Sequence, residues 1–329
     1  MKPRQESKFG LNMQHFWSLD QVYLKDAWLT IGSYDGVHLG HQAIIRQLIA
    51  GAHEVNVPAV VVTFHPHPAT VLRGRSGQFY LTSPEEQASL LGDMGVDVLI
   101  TIPFNKEISK MSAYDFIAKM DQHLDFSHLW VGHDFTLGRD REGDIPTLQK
   151  LGESFGYQMN MVNPIKFEDG VVSSSVIRAA LASGDMEMAH ELLGRPYQVD
   201  GVVVPGDGRG RTFGIPTANL DVWAKKALPK VGVYVCRAVI DGKIWGAVTN
   251  IGVRPTFGAN KLSPRIETHL LNFNEKIYGK TMSVFFITRL RDEKRFSNTQ
   301  TLVNQIQLDI HAAEVILESE AEKFIGNRE

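Results

Sequence analysis

One cysteine stands in 329 residues, and that scarcity excludes a good deal. Cys236 alone closes no internal disulfide and builds no thiolate metal site, which fits a reducing compartment. It lies in the apolar run 231–240, a core setting. An excess of either charge is missing too. The 34 Lys and Arg against 37 Asp and Glu leave a formal −3, so the chain as a whole has no drive toward nucleic acid or anionic lipid. Apolar runs such as 57–64 fall far below the roughly 18 residues of a membrane span. Residues 1–10 are basic and polar, without the apolar core of a signal peptide. These absences predict a cytoplasmic protein with no membrane and no nucleic-acid partner, and leave a homo-oligomer open.

Internal repeats and low-complexity segments are also missing, and neither common nucleotide fingerprint is complete. Gly206, Gly208 and Gly210 start a G-x-G pattern that Arg211 breaks, and Gly279-Lys280-Thr281 ends a P-loop whose leading glycine is Asn274. What is present is an ordinary globular composition, 43% hydrophobic and 22% charged. At roughly 100 to 200 residues per domain the length predicts two domains.

The first half alternates strand and helix signals, with short buried strands expected at 28–32, 59–64, 96–102, 129–132 and 157–165. Ser83-Pro84-Glu85-Glu86 offers a cap, a proline at the first helical position and a glutamate three residues after the cap. Strand and helix in alternation predict a Rossmann-like, doubly wound parallel sheet. Two short helices follow, 176–183 closed by Gly184, and 186–193 capped by Asp185 and stopped by Gly194. Beyond them, strand signals at 199–204, 231–240, 244–250, 266–273 and 282–290 with the turn Asp241-Gly242 predict a β-barrel or sandwich. Leu302, Ile306, Ile310, Ala313 and Leu317 give a last helix one apolar face. The domain boundary is placed between 193 and 194.

The unusual residues of the first half follow its strands. In Gly32-Ser33-Tyr34-Asp35-Gly36-Val37-His38-Leu39-Gly40-His41 the glycines allow backbone close to a bulky anion, and the next helix offers its N-terminus to phosphate. His38 and His41, three apart, share a face on an opening helical turn, where they can hydrogen-bond a phosphate as its charge grows. Thr63-Phe64-His65-Pro66-His67-Pro68 and Gly132-His133-Asp134-Phe135 reach the same sheet edge. The histidines at 38, 41, 65 and 67 also permit a metal site, and His133 reads as packing or a hydrogen bond. Ser174 and Ser175 before a helix, with Arg178 one turn on, form an anion site or simple caps.

In the second half the glycine run Gly206-Asp207-Gly208-Arg209-Gly210-Arg211 can wrap a polyphosphate, or can be a solvated hairpin tip. Thr217 and Asn219, two apart on an extended chain, offer oxygen ligands suited to Mg²⁺ bound with phosphates. Glu267 stands in an apolar strand, where a carboxylate is costly unless paired or functional, and so is a candidate base for a hydroxyl nucleophile.

Taken together these blocks resemble the bifunctional riboflavin kinase/FAD synthetase family of prokaryotes. The 32–41 loop is similar to the H-x-G-H signature of nucleotidylyltransferases. Segments 63–68, 131–138 and Ser173-Ser174-Ser175-Val176-Ile177-Arg178 resemble that family's further blocks in order. The loop Gly208 to Leu220, the block Asn250 to Gly258, Glu267-Thr268-His269-Leu270-Leu271, Tyr278-Gly279-Lys280 and 289–296 resemble its kinase half.

The resemblance implies FMN adenylyltransferase activity in 1–193 and a riboflavin kinase barrel in 194–329, with Mg²⁺ as cofactor and riboflavin, FMN and ATP as substrates. It implies His38, His41 and Glu267 as catalytic residues and Thr217 and Asn219 as Mg²⁺ ligands. For ATP it implies Gly32, Asp35, Gly36, Gly40, Ser174, Ser175, Arg178, Gly206, Gly208, Arg209, Gly210 and Arg211. For flavin it implies Phe64, Pro66, His67, Asp134, Phe135, Asn250 and Arg291. Tyr34, Ser175, His65 and Asn272 stand where the family usually has Phe, Thr, an acidic residue and Asp. The rival readings are a kinase with a degenerate or differently specific first domain, a non-catalytic flavin sensor, and a hydrolase built on the four histidines.

Overall fold

Strands covered on both faces need apolar side chains at successive positions, and the first half of the chain supplies them. A computed structural model describes residues 13–75, 77–168, 170–206, 208, 210, 213–255 and 262–326, with backbone alone at 254–255, 262–264 and 321–326. It divides into two compact units, Met1–Ser174 and Ser175–Glu329.

The main sheet of the first unit has six strands: β1 (Gln14–Phe16), β2 (Ala27–Ile31), β3 (Ala59–His65), β4 (Val98–Pro103), β5 (Phe126–Gly132) and β6 (Gln158–Val162). All neighbours are parallel, in the order β1-β4-β3-β2-β5-β6. Its helices are α1 (Leu39–Glu54), α2 (Pro68–Leu72), α3 (Pro84–Asp93), α4 (Lys106–Lys110), α5 (Ala113–Leu124) and α6 (Ile145–Phe155). Val60 and Val62 of β3 enter one core with Phe116 and Ile117 of α5 and Leu148 of α6. Ala59 and Val61 enter the opposite core with Ile45 and Leu48 of α1 and Leu91 of α3. Each fully buried aliphatic chain contributes roughly 1.5–3 kcal/mol, so both faces must stay covered. The Ser83 hydroxyl accepts the Glu86 amide while the Glu86 carboxylate accepts that of Ser83, so α3 starts where its sequence says. Strand order reverses between β2 and β5, which opens a crevice at their carboxyl ends.

The fifth expected strand ends early, at Val162, and a small hairpin of β7 (Lys166–Phe167) and β8 (Gly170–Val171) follows. Next come α7 (Ser174–Ser183) and α8 (Met186–Leu193), the latter capped by Asp185 and ended by Gly194 in the left-handed region. The compact units part at Ser174/Ser175, upstream of the 193/194 boundary expected from the pattern change, and α8 packs on the barrel strands described next.

Strands β9 (Tyr197–Val204), β10 (Ala218–Val222), β11 (Gly232–Ile240), β12 (Lys243–Pro255), β13 (Leu262–Leu270) and β14 (Thr281–Arg291) close an antiparallel barrel in the order β10-β13-β12-β11-β14-β9. Alternate residues fill it, among them Tyr234, Cys236, Thr249, Thr268 and Phe286. On the outside Val233, Val235 and Val248 pack under α9 (Thr299–Gly326) through Ile310, Ala313 and Leu317. Double coverage explains why β11 reads as one apolar run. No helix among the described residues is long and apolar enough to cross a membrane.

Candidate functional site

The loop after β2 is built from conformations most residues avoid. Tyr34, Gly36 and Val37 have φ of 45°, 87° and 40°, a region open to glycine and strained for a β-branched valine. A side chain at Gly36 would also meet Leu81 at 2.8 Å. The strain is held by specific bonds: Gln42 Nε2 donates to Val37 O at 2.9 Å, Gly36 N–H to Thr82 Oγ1 at 3.1 Å, and Ser174 Oγ to Asp35 O at 2.9 Å. Beneath the loop the buried Tyr34 hydroxyl meets Thr30 Oγ1 at 2.5 Å, and Thr30 donates on to Trp130 O at 2.7 Å. Burial pushes the Tyr34 phenol well above its ordinary range, so it stays neutral.

The histidine pair assembles differently from the sequence expectation. His38 is not on the helix. It precedes α1 in extended backbone, φ −74° and ψ 172°, and caps it by accepting the His41 amide on Nδ1 at 3.4 Å. That bond assigns the proton of the neutral His38 ring to Nε2. The two rings stack with centroids 3.6 Å apart at 20°, and Tyr34 stands edge-on to His41 at 5.1 Å. Gly40 keeps the helix start bare beside the His38 ring, 3.2 Å from where a side chain would begin.

Other expected residues fall into several settings. Asp35 is 3% exposed, and its Oδ1 accepts the Leu81 and Thr82 amides at 2.8 and 3.1 Å. Its carboxylate therefore braces the loop before α3, a structural employment for a residue expected on ATP. His67 caps α2 by accepting the Ala69 amide on Nδ1, and its own amide donates to the Tyr80 hydroxyl at 2.8 Å. With Phe64, His65, Tyr80 and Thr101 it lines a small pocket at the strand ends, Pro66 following His65 through a cis peptide. Phe64 meets Phe104 and Phe116 at 5.6 and 6.1 Å, and both Phe64 and Phe135 pack on the core. Asp134 is exposed, 3.8 Å from His133. Gly32 approaches the Tyr34 ring. Ser175 is exposed and Arg178 half-buried on α7, in the second unit. Among the described residues no three His, Cys, Asp or Glu side chains form a group able to hold a metal ion, so the four-histidine site is not assembled.

In the barrel, register does what sequence spacing cannot. Glu267 of β13 faces Asn219 of β10 on one side and Asn250 of β12 on the other, and Asn250 faces Val233 of β11. The four side chains form a row on the barrel's outer surface, on one face of β13 with Arg265 and His269. Ile266, Thr268 and Leu270 take the buried face. Glu267 therefore sits in a half-exposed row and not in an apolar interior, with its carboxylate 2.8 Å from Arg265 Nε. The cost inferred from its apolar strand is lower than the sequence suggested, because alternation turns it outward.

Asn219 is 8% exposed, and its Oδ1 accepts from the same Arg265 Nε at 2.7 Å. Gly206 lies so close that a side chain there would meet the Asn219 amide at 2.0 Å. The row opens on a cavity of about 690 Å³, lined also by Gly208, Gly210, Thr217 and, from α9, Leu302 and Ile306. Arg291 lines it as well, but its guanidinium is held by Asp309 of α9, with Nε to Oδ1 at 2.9 Å and an Nη to Oδ2 at 2.6 Å. Arg209 and Arg211 lie outside the described residues, as do 256–258 of the block expected after Asn250. Arg265 escaped the sequence reading; its one signal is a position two before Glu267 on an alternating strand.

Two families match the chain, one described as FAD synthetase over residues 20–176 and one as riboflavin kinase over residues 193–317. The chain is 37% identical to the bifunctional riboflavin kinase/FMN adenylyltransferase of Bacillus subtilis, over 85% of this chain and 89% of that one. It is 37% identical to the protein so described from Pseudomonas fluorescens, over 87% and 92% of the two chains. A crystal structure described as a macrolide-efflux protein from Streptococcus pneumoniae superposes with a TM-score of 0.83 at 29% identity, covering 92% of this chain and 99% of that one.

Proposed function

The chain belongs to the bifunctional riboflavin kinase/FMN adenylyltransferase family, and we propose that its barrel phosphorylates riboflavin and its histidine loop then joins FMN to AMP. The first reaction converts riboflavin and ATP to FMN and ADP, the second FMN and ATP to FAD and pyrophosphate. We assign 1–193 to the second activity and 194–329 to the first, a division supported by the two family matches. ATP as common co-substrate and the balanced charge support a cytoplasmic setting without membrane or nucleic-acid partners.

The observation that carries the kinase assignment is the row Asn219, Glu267, Asn250 beside a glycine loop at the mouth of one cavity. In this reading Glu267 accepts the proton of the ribityl 5′-hydroxyl as that oxygen attacks the γ-phosphorus and ADP leaves. Asn250 and the cavity wall orient the flavin. Gly206, Gly208 and Gly210 let the phosphates approach the backbone. Thr217 and Asn219 fit Mg²⁺: both offer neutral oxygen, both line the cavity that Gly208 and Gly210 also line, and this ion takes few protein ligands when phosphates complete its shell. When bound, Mg²⁺ neutralises charge on the transferring phosphate.

At the other site the FMN phosphate oxygen attacks the α-phosphorus of ATP and pyrophosphate leaves, so no protein nucleophile is required. His38, presenting Nε2–H, and His41, fixed by stacking, donate to phosphate oxygens as their charge grows. The reading is tested by incubating the protein with riboflavin, ATP and Mg²⁺ and following flavins by chromatography. FMN followed by FAD is expected; flavin left unchanged would refute it.

A further inference from the structure

Arg265 stands where a cation is needed. Its Nε donates to Asn219 Oδ1 at 2.7 Å and stands 2.8 Å from Glu267 Oε1 as an ion pair, so one guanidinium serves both the oxygen assigned to Mg²⁺ and the carboxylate assigned as base. An Nη of the same guanidinium lies 3.0 Å from where a side chain at Gly206 would begin, so the charge also faces the glycine loop. These groups come from β10, β13 and the loop before β10, and Asn219 is almost wholly covered. Two electron-rich oxygens held this close need a positive partner.

A divalent ion demands ligand distances of about 2.0–2.1 Å. An ion on Asn219 Oδ1 at that distance would lie within about 5 Å of the guanidinium as it now stands, and two cations so close in a half-buried row repel. We propose that Arg265 is a tethered stand-in for the metal: it holds Asn219 and Glu267 together in the nucleotide-free chain and is exchanged for the divalent ion when nucleotide binds. The exchange frees Glu267 for the flavin hydroxyl at the same moment, so the base is engaged by an internal partner until metal and nucleotide are in place. This inference rests on the kinase reading of the barrel.

The test is direct metal binding on the full-length protein: Mn²⁺ is added in the presence of ADP, and free Mn²⁺ is read by electron paramagnetic resonance. Asn219→Ala gives the background from sites elsewhere in the chain. In Arg265→Gln, and independently in Arg265→Met, the Asn219-dependent binding is expected to tighten roughly tenfold, the scale of one charge-assisted hydrogen bond that no longer competes. A strut with no exchange role would weaken binding or leave it unchanged when removed, and either result overturns the proposal.

The unsubstituted protein gives a second readout. The Arg265 Nε–H resonance, followed by nitrogen-15 NMR, should move with Mg²⁺ and ADP together and not with ADP alone; a resonance that stays put overturns the exchange whatever the variants do. If Asn219→Ala binds Mn²⁺ as the parent does, the metal assignment itself falls, and the exchange with it.

Discussion

His38 and His41 lie face to face, ring centroids 3.6 Å apart, one capping the helix on which the other stands. Each ring fixes the other, so the two act as a unit. Replacing either by Asn should lower adenylyl transfer by about 10²–10³-fold, the usual effect of losing one oriented donor to a developing charge. The double variant should be little worse than the single ones, because coupled groups are not additive. Steady-state FAD formation from supplied FMN measures both, and riboflavin phosphorylation in the same samples should be unaltered.

Glu267→Gln keeps shape and hydrogen bonding at the row but removes the proton acceptor. Kinase turnover should fall by at least about 10²-fold, the range of general-base contributions, with little change in KM for riboflavin. Turnover held near the parent value would remove Glu267 from the chemistry.

Asp35 separates a brace from a ligand. Asp35→Ala leaves the buried Leu81 and Thr82 amides without this acceptor, which costs about 2–6 kcal/mol at roughly 1–3 per group. Asp35→Asn retains an acceptor oxygen and should recover much of that loss. Urea unfolding of the three proteins gives the comparison. A variant of unchanged stability with weakened ATP binding would return Asp35 to the nucleotide.

The pH dependence of stability has a definite sign at the alkaline end. Burial raises the Cys236 thiol from its ordinary 9.0 to about 12 and the Tyr157 phenol from 10.0 to about 12, and raises Tyr34 as well. Between pH 9 and 12 the unfolded chain therefore releases protons that the folded chain retains. Stability should fall as pH rises through that window. Cys236 should resist thiol reagents at pH 8 until the chain is unfolded. Equal reactivity in folded and unfolded protein would contradict its burial.

Local chemistry was legible and cross-strand chemistry was not. Ser83 with Glu86, and Asp185 with Gly194, marked helix ends because a cap involves residues three or four apart. Glu267 was legible as a carboxylate in an apolar strand, although alternation and the Arg265 partner make its setting milder than that argument assumed. Strand β10 went unread because its five residues include Asn219 and Asp221 and gain strand geometry only by closing the barrel. Arg265 and the Asp35 brace depend on partners 46 residues away, and His38 left its expected helical face because it caps the helix instead. Asn272 in place of Asp is accommodated at φ 55°, a conformation both residues tolerate.

Complementation distinguishes two separate active sites in one chain from a single shared one. Glu267→Gln alone should leave riboflavin unconverted, and His41→Asn alone should accumulate FMN. Mixed with riboflavin, ATP and Mg²⁺, the two variants should restore FAD, with FMN passing from one molecule to the other. If each variant loses both reactions, or the mixture makes no FAD, the two-site account is wrong.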